Sequence, residues 1–262
     1  MALRVRNLAS GSSGNATLIE AREGSHTTRV LVDCGLRVSE LSRRLNSCGL
    51  ALEDLDGLFI THEHSDHAAH AAALVARVPV KVWMSEGTRR ACEANTWAWR
   101  SDQLTVVRDG DTLTLAELSL LPFTVPHDAR EPLQLRCTDG DRMLGIVTDL
   151  GHPSRHVQQS LQGCHALLIE ANHDPDMLQR SQYPAFLKQR IRGELGHLSN
   201  DQAAELLGAV LHPGLHTVIA SHLSERNNQP QHARSALAGV LGCSAEEVMV
   251  ADPSHGTDWL EV

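Results

Sequence analysis

The stretch FITHEHSDHAAH, residues 59–70, places four metal-capable side chains within six positions, between an apolar run and an alanine-rich run. The apolar residues 55–60 predict a buried strand, and the alanine-rich residues favour a helix. The four side chains therefore fall on the turn that leaves the carboxyl end of a strand, where α/β proteins usually collect ligands. Imidazole and carboxylate ligands together suit zinc, manganese or iron. We interpret these side chains as metal ligands rather than as a solvated polar turn: His62, His64, Asp66 and His67.

Length and composition limit the kinds of protein that the chain can be. At 262 residues it can form one large domain or two small ones, and because no repeat or linker marks a boundary, we predict one domain over residues 1–262. No apolar run approaches the roughly 20 residues that cross a bilayer, and the start lacks a secretory signal, so we expect a cytoplasmic protein. The six cysteines form no C-x-x-C pair, which argues against a zinc ribbon and a disulfide scaffold.

The first part of the chain has a strand-rich pattern. Residues 3–61 contain four short apolar runs separated by glycine-containing turns, with an amphipathic segment between the third and the fourth run. Val38, Leu41 and Leu45 share one face of that segment, so the predicted order is β-β-β-α-β. A helix is predicted over residues 67–77.

The later part repeats this alternation. A helix is predicted over residues 85–97, and several short strands follow between residues 104 and 148, with a hairpin at TDGD. Helices alternate with strands after residue 153. Two β-rich halves that are each followed by helices predict an α/β (α+β) fold in which two sheets pack face to face with helices outside.

Further candidate ligands occur where other apolar runs end. His127, Asp149 and His222 each stand at the point where a predicted strand gives way to a loop. Taken singly, each is an ordinary loop residue. A pair of metal ions needs more than four protein ligands, however, and three such residues at strand ends supply them. Asp149 could bridge two cations and lower their mutual repulsion.

These residues resemble the metallo-β-lactamase superfamily in their order: T-H-x-H-x-D-H, a later histidine, T-D and S-H, together with Asp33 in LVDCG. The segments ASGSSGNATLIE, PHDA, TDLG, EANHD, LKQRIRGELGHLSN and SHLSERNN are similar to the YycJ/WalJ-like branch. The two long late segments are the specific part, because H-x-H-x-D-H alone is shared with thioesterases, lactonases and RNase Z. The resemblance implies a four-layer αββα sandwich, two divalent metal ions per chain and 5′-to-3′ exonuclease activity on double-stranded DNA.

The resemblance also implies a role for each candidate ligand. One metal ion would be held by His62, His64 and His127, the other by Asp66, His67 and His222, and Asp149 would bridge them. Asp66 would in addition be catalytic. Asp33 would orient the histidine-rich turn without contacting a metal ion. The segment GSSGN is either a plain tight turn or a phosphate contact.

The segment LKQRIRGELGHLSN adds candidates for catalysis and substrate binding. His197 precedes Ser199, a predicted N-cap of the helix that begins at Asn200, and a helix N-terminus beside a histidine suits a phosphate and its leaving oxygen. We assign His197 a catalytic role and Ser199 and Asn200 to substrate binding, with a structural histidine as the alternative. Three basic residues either bind backbone phosphates or are solvated surface charge: Lys188, Arg190 and Arg192.

The sequence therefore predicts a dinuclear metal-dependent phosphodiesterase that acts on nucleic acid, with DNA favoured over RNA. The metal ions would be zinc or manganese, with iron as a third candidate. A thioesterase or lactonase of small molecules shares the metal motif but does not explain the basic residues, and a metal-stabilised binding or signalling protein is a further alternative. The net charge of -9 disfavours binding through total charge, and eight aromatic residues give weak support for a base-stacking platform.

Overall fold

The computed structural model describes residues 2–94 and 102–262 and arranges the strands of this part of the chain in two seven-stranded sheets. The first sheet contains β1 (Ala2–Ala9), β2 (Ala16–Glu23), β3 (His26–Val32), β4 (Gly57–Phe59), β5 (Lys81–Met84) and β6 (Leu104–Val106). The second contains β7 (Leu113–Leu115), β8 (Leu118–Thr124), β9 (Leu133–Thr138), β10 (Met143–Val147), β11 (Ala166–Glu170), β12 (Thr217–Ser221) and β13 (Met249–Val250). The last strand, β14 (Leu260–Glu261), pairs with β1 and completes the first sheet.

Both sheets are mixed, and each has a parallel part. The strand orders are β14-β1-β2-β3-β4-β5-β6 and β13-β12-β11-β10-β9-β8-β7. Neighbouring strands run parallel from β3 to β6 in the first sheet and from β10 to β13 in the second. The predicted TDGD hairpin joins the antiparallel strands β9 and β10. Since parallel strands point the same way, the loops that follow them lie together at one edge of each sheet.

Helices cover the outer faces of the two sheets. In the described residues they are α1 (Val38–Asn46), α2 (Ser65–Ala68), α3 (Ala71–Val75), α4 (Glu86–Ala94), α5 (Arg155–Leu161), α6 (Pro175–Arg180), α7 (Ala185–Ile191), α8 (Asn200–Val210) and α9 (Pro230–Leu241). None of these helices is both long enough and apolar enough to span a bilayer. Residues 95–97 of the helix predicted over 85–97 lie outside the described part of the chain.

The apolar core is divided into layers, as β3 illustrates. Val30 and Val32 belong to the cluster between the two sheets, whereas Leu31 packs with Leu41 and Leu45 of α1. A third cluster packs the second sheet against α5, α8 and α9. Because successive side chains of a strand point to opposite faces, each central strand is buried on both sides. The predicted four-layer αββα sandwich is confirmed, as is the predicted buried face of α1.

The predicted continuous helix over residues 67–77 is wrong. The chain instead forms α2 and α3, with a break at Ala69 and His70. The amide of His70 donates to the carbonyl of Cys34 at 3.1 Å, and the amide of Cys34 donates to the carbonyl of His67 at 2.7 Å. Hydrogen bonds to the loop after β3 therefore replace the helical hydrogen bonds at this point, and α2 is fixed to the end of that strand.

A buried carboxylate on the outer face of the first sheet holds three strands together. The side chain of Glu20 is fully buried, and it accepts hydrogen bonds from Nε of Arg4 at 2.7 Å, of Arg22 at 2.6 Å and of Arg29 at 2.8 Å. Burial works against the charged form, but the hydrogen bonds from Arg4 and Arg29 outweigh it and lower the pKa of Glu20 below its ordinary value.

We expect Glu20→Gln to lower the free energy of unfolding by about 1–3 kcal/mol at neutral pH, because charge-assisted hydrogen bonds inside the structure are lost. The lowered pKa means that the parent's advantage is present above a pH of about 4.5 and disappears as the pH falls through the folded-state pKa. Urea unfolding at several pH values measures this difference. Glu40→Gln is the matched control: Glu40 pairs with Arg43 and Arg44 at the surface, where an ion pair contributes about 0–1 kcal/mol. A constant difference from neutral to acidic pH would contradict the assignment.

Candidate metal centre

The predicted ligands meet where the carboxyl ends of strands from both sheets come together. Asp33 follows β3, and the histidine-rich turn follows β4. Asp149 and His222 follow β10 and β12 in the other sheet. Asp33 and His222 have positive φ angles of 65° and 54°, a conformation that Asp and His tolerate better than most residues and that bends the chain into the site.

The histidine-rich turn is held by its contacts with the loop after β3. Asp33 Oδ1 accepts a hydrogen bond from the amide of Thr61 at 2.9 Å, and Oδ2 accepts one from Nδ1 of His67 at 2.7 Å. Gly35 lets the two loops approach, since a Cβ at this position would collide with the carbonyl oxygen of Asp66. Asp33 therefore contacts the turn in the way that the sequence predicts.

Three histidines form the first group of candidate ligands. His64 Nδ1 lies 3.0 Å from Nε2 of His62 and 3.3 Å from Nε2 of His127. The other nitrogen of His127 donates to the carbonyl of Gly196 at 3.0 Å, and Nδ1 of His62 pairs with Oγ1 of Thr61 at 2.9 Å. The Gly196 carbonyl can only accept, and the Thr61 hydroxyl gives its proton to Asp33, so both partners assign the imidazole proton to Nδ1. The Nε2 lone pairs of His62 and His127 therefore face His64.

The second group contains carboxylates as well as imidazoles. Oδ2 of Asp66 lies 3.4 Å from Nε2 of His222 and 3.5 Å from Nε2 of His67. Asp149 stands between the two groups: its oxygens lie 2.9 Å from Nε2 of His67 and 3.8 Å from Nε2 of His127. In each group the ligand atoms lie within 4.8 Å of one another. The structure thus brings together all seven predicted ligands.

Burial favours the neutral forms of two histidines of the first group, His62 and His127. His62 is completely buried, and burial lowers its pKa well below the ordinary histidine value. Burial also lowers the pKa of His127. Neutral imidazoles present lone pairs at neutral pH, as metal coordination requires.

Negative charge dominates the second group. Burial works against the protonated forms of His67 and His222, but Asp149 and the other nearby carboxylates outweigh it. They raise the pKa of His67 well above its ordinary value and that of His222 to about 10. An environment that favours a proton this strongly also favours a cation in its place.

The surroundings of one carboxylate oxygen, Oδ2 of Asp149, indicate that the site can hold metal ions. Oδ2 of Asp149 is buried and makes no hydrogen bond, although Nε2 of His67 lies only 2.9 Å away. An unsatisfied buried carboxylate oxygen is costly unless a cation lies near it. When His67 is neutral, Asp33 holds its proton on Nδ1, so that Nε2 of His67 and Oδ2 of Asp149 both present lone pairs. Two such electron-pair donors fit a shared divalent cation, and the histidine and carboxylate donor set suits zinc or manganese.

Glu170 belongs to the site and was missed by the sequence analysis. It ends β11, and its Oε1 accepts a hydrogen bond from Nδ1 of His197 at 2.7 Å and lies 3.3 Å from Nδ1 of His222. Its Oε2 accepts from the amide of Leu150 at 2.8 Å. The signal was available, because Glu170 stands at the end of an apolar run just as Asp149 does. Glu170 fixes the orientation of two imidazoles.

Asp128, next to the ligand His127, was also missed. Its Oδ1 lies 3.6 Å from Nε2 of His127 and 3.8 Å from Nε2 of His64. Its Oδ2 accepts a hydrogen bond from Nε of Arg190 at 2.5 Å. The carboxylate therefore connects the first histidine group to the wall of the cleft described below.

The ligand groups lie at the bottom of an open cleft of about 370 Å³. His197 lines this cleft, and its side chain is 24% exposed. Burial works against its protonated form, but Glu170 and Asp149 raise the pKa of His197 above its ordinary value. Ser12 of the GSSGN turn also lines the cleft, while Asn15 of the same turn accepts the amide of Gly11 at 2.9 Å, as expected of a tight turn.

Ser199 and Asn200 were predicted to bind the substrate, but in the structure their side chains contact other residues of the protein. Ser199 is the N-cap of α8, as predicted, and its Oγ accepts the amide of Gln202 at 3.2 Å. Asn200 is 3% exposed and exchanges hydrogen bonds with the amide of Asn228. Neither residue lines the cleft. Their contacts hold the start of α8 in place behind His197.

The three predicted phosphate-binding residues are divided between two surfaces. Arg190 lines the cleft and is 60% exposed. Lys188 and Arg192 line a separate depression of about 290 Å³ on the other side of α7, and Tyr183 lines both. Residues two positions apart on a helix point in different directions. Arg190 therefore does not form a single basic patch with Lys188 and Arg192.

The chain is similar to several known proteins. Residues 28–222 match the family described as the beta-lactamase superfamily domain. Over 258 residues, 98% of this chain and 96% of the relative, the sequence is 32% identical to exodeoxyribonuclease YycJ of Bacillus anthracis. It is 34% identical to exodeoxyribonuclease WalJ of Streptococcus pneumoniae over 236 residues, 89% of this chain and 86% of the relative. The structure of the metallo-beta-lactamase fold protein YhfI from Bacillus subtilis superposes with a TM-score of 0.74 at 16% identity, covering 100% of both chains.

The αββα sandwich with a histidine and carboxylate cluster at its strand ends is that of a metal-dependent hydrolase. The chain belongs to the metallo-β-lactamase superfamily, and within it to the family of YycJ and WalJ. The resemblance stated from the sequence is confirmed, and an enzyme is favoured over the non-catalytic alternative.

We expect Asp33→Asn to lower the affinity for divalent metal ions by about 10- to 100-fold. The amide oxygen would still accept from Thr61, which leaves the NH₂ group facing Nδ1 of His67. His67 would then carry its proton on Nε2, the nitrogen that faces Asp149. Asparagine tolerates the positive φ of position 33, so the backbone is retained. Competition with a chromophoric chelator measures the affinity.

Asp56→Asn is the matched control for that experiment. Asp56 also accepts a backbone amide, that of Arg29 at 2.8 Å, but it precedes β4 and lies at the opposite end of that strand. Its variant should bind metal ions as the parent does. Unchanged affinity in Asp33→Asn would show that the hydrogen bond from His67 does not set its tautomer.

Proposed function

We propose that the chain is a dinuclear metal-dependent phosphodiesterase that acts on nucleic acid, namely a 5′-to-3′ exonuclease of double-stranded DNA. The observation that carries the proposal is the position of Asp149 between two three-residue ligand groups at the bottom of a cleft with an arginine on its wall. Relatives named exodeoxyribonuclease over nearly the full chain support the nucleic-acid substrate. The duplex and the polarity follow from the resemblance to the YycJ/WalJ-like branch.

Each ligand group suits one divalent cation, with Asp149 shared between them. The groups are His62, His64 and His127, and Asp66, His67 and His222. Bound divalent cations would supply Lewis acidity and generate hydroxide near neutral pH. Asp66 also faces the cleft and is the carboxylate to which we assign a catalytic role beside that of a ligand.

In this proposal His197 protonates the departing oxygen. Its Nδ1 is engaged by Glu170 at 2.7 Å, which leaves Nε2 as the nitrogen that can donate to a group in the cleft. The backbone also holds the ring in place, since the amide of His197 donates to the carbonyl of Ile191 at 2.8 Å. A positioned imidazole of this kind acts as a general acid.

Arg190 is the basic side chain best placed to bind a phosphate. Asp128 engages its Nε, and the remaining guanidinium N–H groups are available at the cleft wall. Arginine suits phosphate because its planar donors match the phosphate oxygens. The ion pair with Asp128 orients Arg190 relative to the histidine ligands.

The proposed activity is tested with purified protein, added manganese or zinc, and three substrates: 3′-labelled duplex DNA, single-stranded RNA and an aryl phosphodiester. We expect stepwise shortening of the duplex from its 5′ ends and slower or no degradation of the RNA. Hydrolysis of a thioester or a lactone in the absence of DNA degradation would instead assign the cleft to small molecules.

We expect Asp149→Asn to reduce the metal content from about two ions per chain to one or none, because the neutral amide cannot balance two cations. Elemental analysis after dialysis into metal-free buffer measures the content. Asp139→Asn changes another buried aspartate, at the opposite end of β10, and should retain the parent's content. Two tightly held ions in Asp149→Asn would refute the bridging role.

We expect His197→Ala to keep its metal ions but to degrade DNA about 100- to 10,000-fold more slowly, the usual contribution of a general acid. An aryl phosphodiester has a leaving group of low pKa that needs little protonation, so its hydrolysis should suffer much less. His152→Ala is the control, since His152 pairs with the carbonyl of Glu194 and does not line the cleft. An equal loss on both substrates, or a loss of metal, would show that His197 is a support residue or a ligand.

A further inference from the structure

The segment of residues 181–195, between α6 and α8, contains no buried residue. It nevertheless carries Tyr183, Leu187 and Ile191 on the cleft wall, and Phe186 and Leu195 at the surface. Phe186 is 73% exposed and Leu195 is 53% exposed. Burying a large apolar side chain ordinarily stabilises a fold by about 1.5–3 kcal/mol. The exposed side chains of Phe186 and Leu195 do not contribute this stabilisation.

The two aromatic residues of this segment differ from the other described ones. Phe59, Phe123 and Trp83 lie in the core. Trp259 packs beneath the guanidinium of Arg4, whose Cζ lies 4.0 Å from the ring centroid. The one tyrosine of the chain therefore lines the cleft, and Phe186 lies on α7 directly before Leu187, which also lines it.

Hydrogen bonds fix the segment to the ligand groups. The amide of Asp128 donates to the carbonyl of Leu195 at 3.0 Å, and Nδ1 of His127 donates to the carbonyl of Gly196 at 3.0 Å. A Cβ at Gly196 would collide with the carbonyl of Ile191, so the chain turns back tightly after α7. The end of the segment is thus joined by its backbone to a candidate ligand, His127, and to its neighbour Asp128.

The basic residues of the segment indicate which kind of molecule would bind to this surface. Basic residues interleave with the apolar ones in the segment, although the whole chain has a net charge of -9. Arg190 is four positions after Phe186 and therefore neighbours it on α7. Aromatic faces beside basic side chains suit a strand whose bases stack on the rings while its phosphates meet the charges.

The size of the cleft restricts what can enter. About 370 Å³ is the volume of a small-molecule site and admits one or two nucleotides, not a duplex. Within a duplex, the faces of each base are covered by stacked neighbours. An aromatic ring can therefore stack only on an unpaired base or on the end of the duplex.

We propose that Tyr183 and Phe186 stack on the unpaired bases of a DNA strand end, and that this stacking opens the terminal base pairs so that one strand enters the metal cleft. This inference rests on the proposed function. Stacking on the rings offsets the cost of unpairing, and the opened strand places its first phosphodiester between Arg190 and the ligand groups.

The test uses two 3′-labelled duplexes with the same cleaved strand and different complements. One complement pairs with the last two nucleotides at the 5′ end through G·C pairs, and the other mismatches them. At saturating duplex we expect Phe186→Ala to lower the turnover rate about 10-fold on the paired end and less than about 2-fold on the mismatched end, since an end that is already open needs no stacking to open it. Tyr183→Ala should show the same selectivity.

Leu211→Ala is the matched control. Leu211 is another exposed apolar residue, 42% exposed, at the far end of α8 and away from the cleft. Its variant should degrade both duplexes as the parent does. Phe186→Trp should restore the parent's rate on the paired end, because it keeps an aromatic face.

Several outcomes would overturn the inference. Equal losses on the two duplexes would make the segment a structural support, and no loss on either would show that it does not contact bases. A parent dimer that Phe186→Ala converts to a monomer would assign this surface to a second copy of the chain. If the parent degrades neither duplex, the proposed function fails and the base contact with it, whereas a parent that degrades both while the variants match it refutes the base contact alone.

Discussion

The face-to-face packing of the two sheets is the constraint on which the site depends. Each ligand group draws residues from loops of both sheets: His62 and His64 follow β4, whereas His127 follows β8, and His67 meets His222 from the end of β12. These loops meet only because the inter-sheet apolar cluster holds the two parallel regions at a fixed separation. A change in that packing would move one half of each ligand group relative to the other.

The buried charges of the site lower the stability that the apolar clusters provide. His62, His67 and Glu170 are completely buried, and Asp149 is 2% exposed. Buried charges of this density are costly unless they are paired. Hydrogen bonds offset part of the cost: Nδ1 of His67 donates to Asp33, and Nδ1 of His197 donates to Glu170. The unpartnered oxygen of Asp149 is the part that the protein alone does not satisfy.

The sequence predicted those features that depend on local pattern. The strand and turn order around His62 follows from an apolar run that ends in polar ligands, and the alternation along β3 follows from burial on both faces. Ser199 was recognised as an N-cap because capping is local. The bridge between Ser199 and His173, and the break that Cys34 imposes at His70, depend on tertiary hydrogen bonds that no local pattern encodes.

Other misses have the same origin. Glu170 ends an apolar run in the sequence, but only the pairing of β11 beside β10 and β12 shows that it lies between Asp149 and His222. The basic residues at 188, 190 and 192 were predicted to form one patch, yet the orientation of the helix decides that Arg190 faces the cleft and Lys188 does not. The small number of aromatic residues in the sequence likewise did not indicate that two of them, Tyr183 and Phe186, lie close together in one exposed segment.

The acidic character of the chain is compatible with the proposed exonuclease, which would bind the ends of DNA strands. A net charge of -9 repels the backbone of DNA from most of the surface, so attraction is confined to places where basic residues cluster. On the cleft wall the basic side chain is that of Arg190, which lies beside the candidate ligand groups and one helical turn from the exposed ring of Phe186. With the proposed cations bound, the cleft would be less negatively charged than the protein surface around it. Binding would then require a strand that can leave its partner and enter a narrow cleft, and a strand end does so at a lower cost than an internal segment, because its bases have neighbours on one side only.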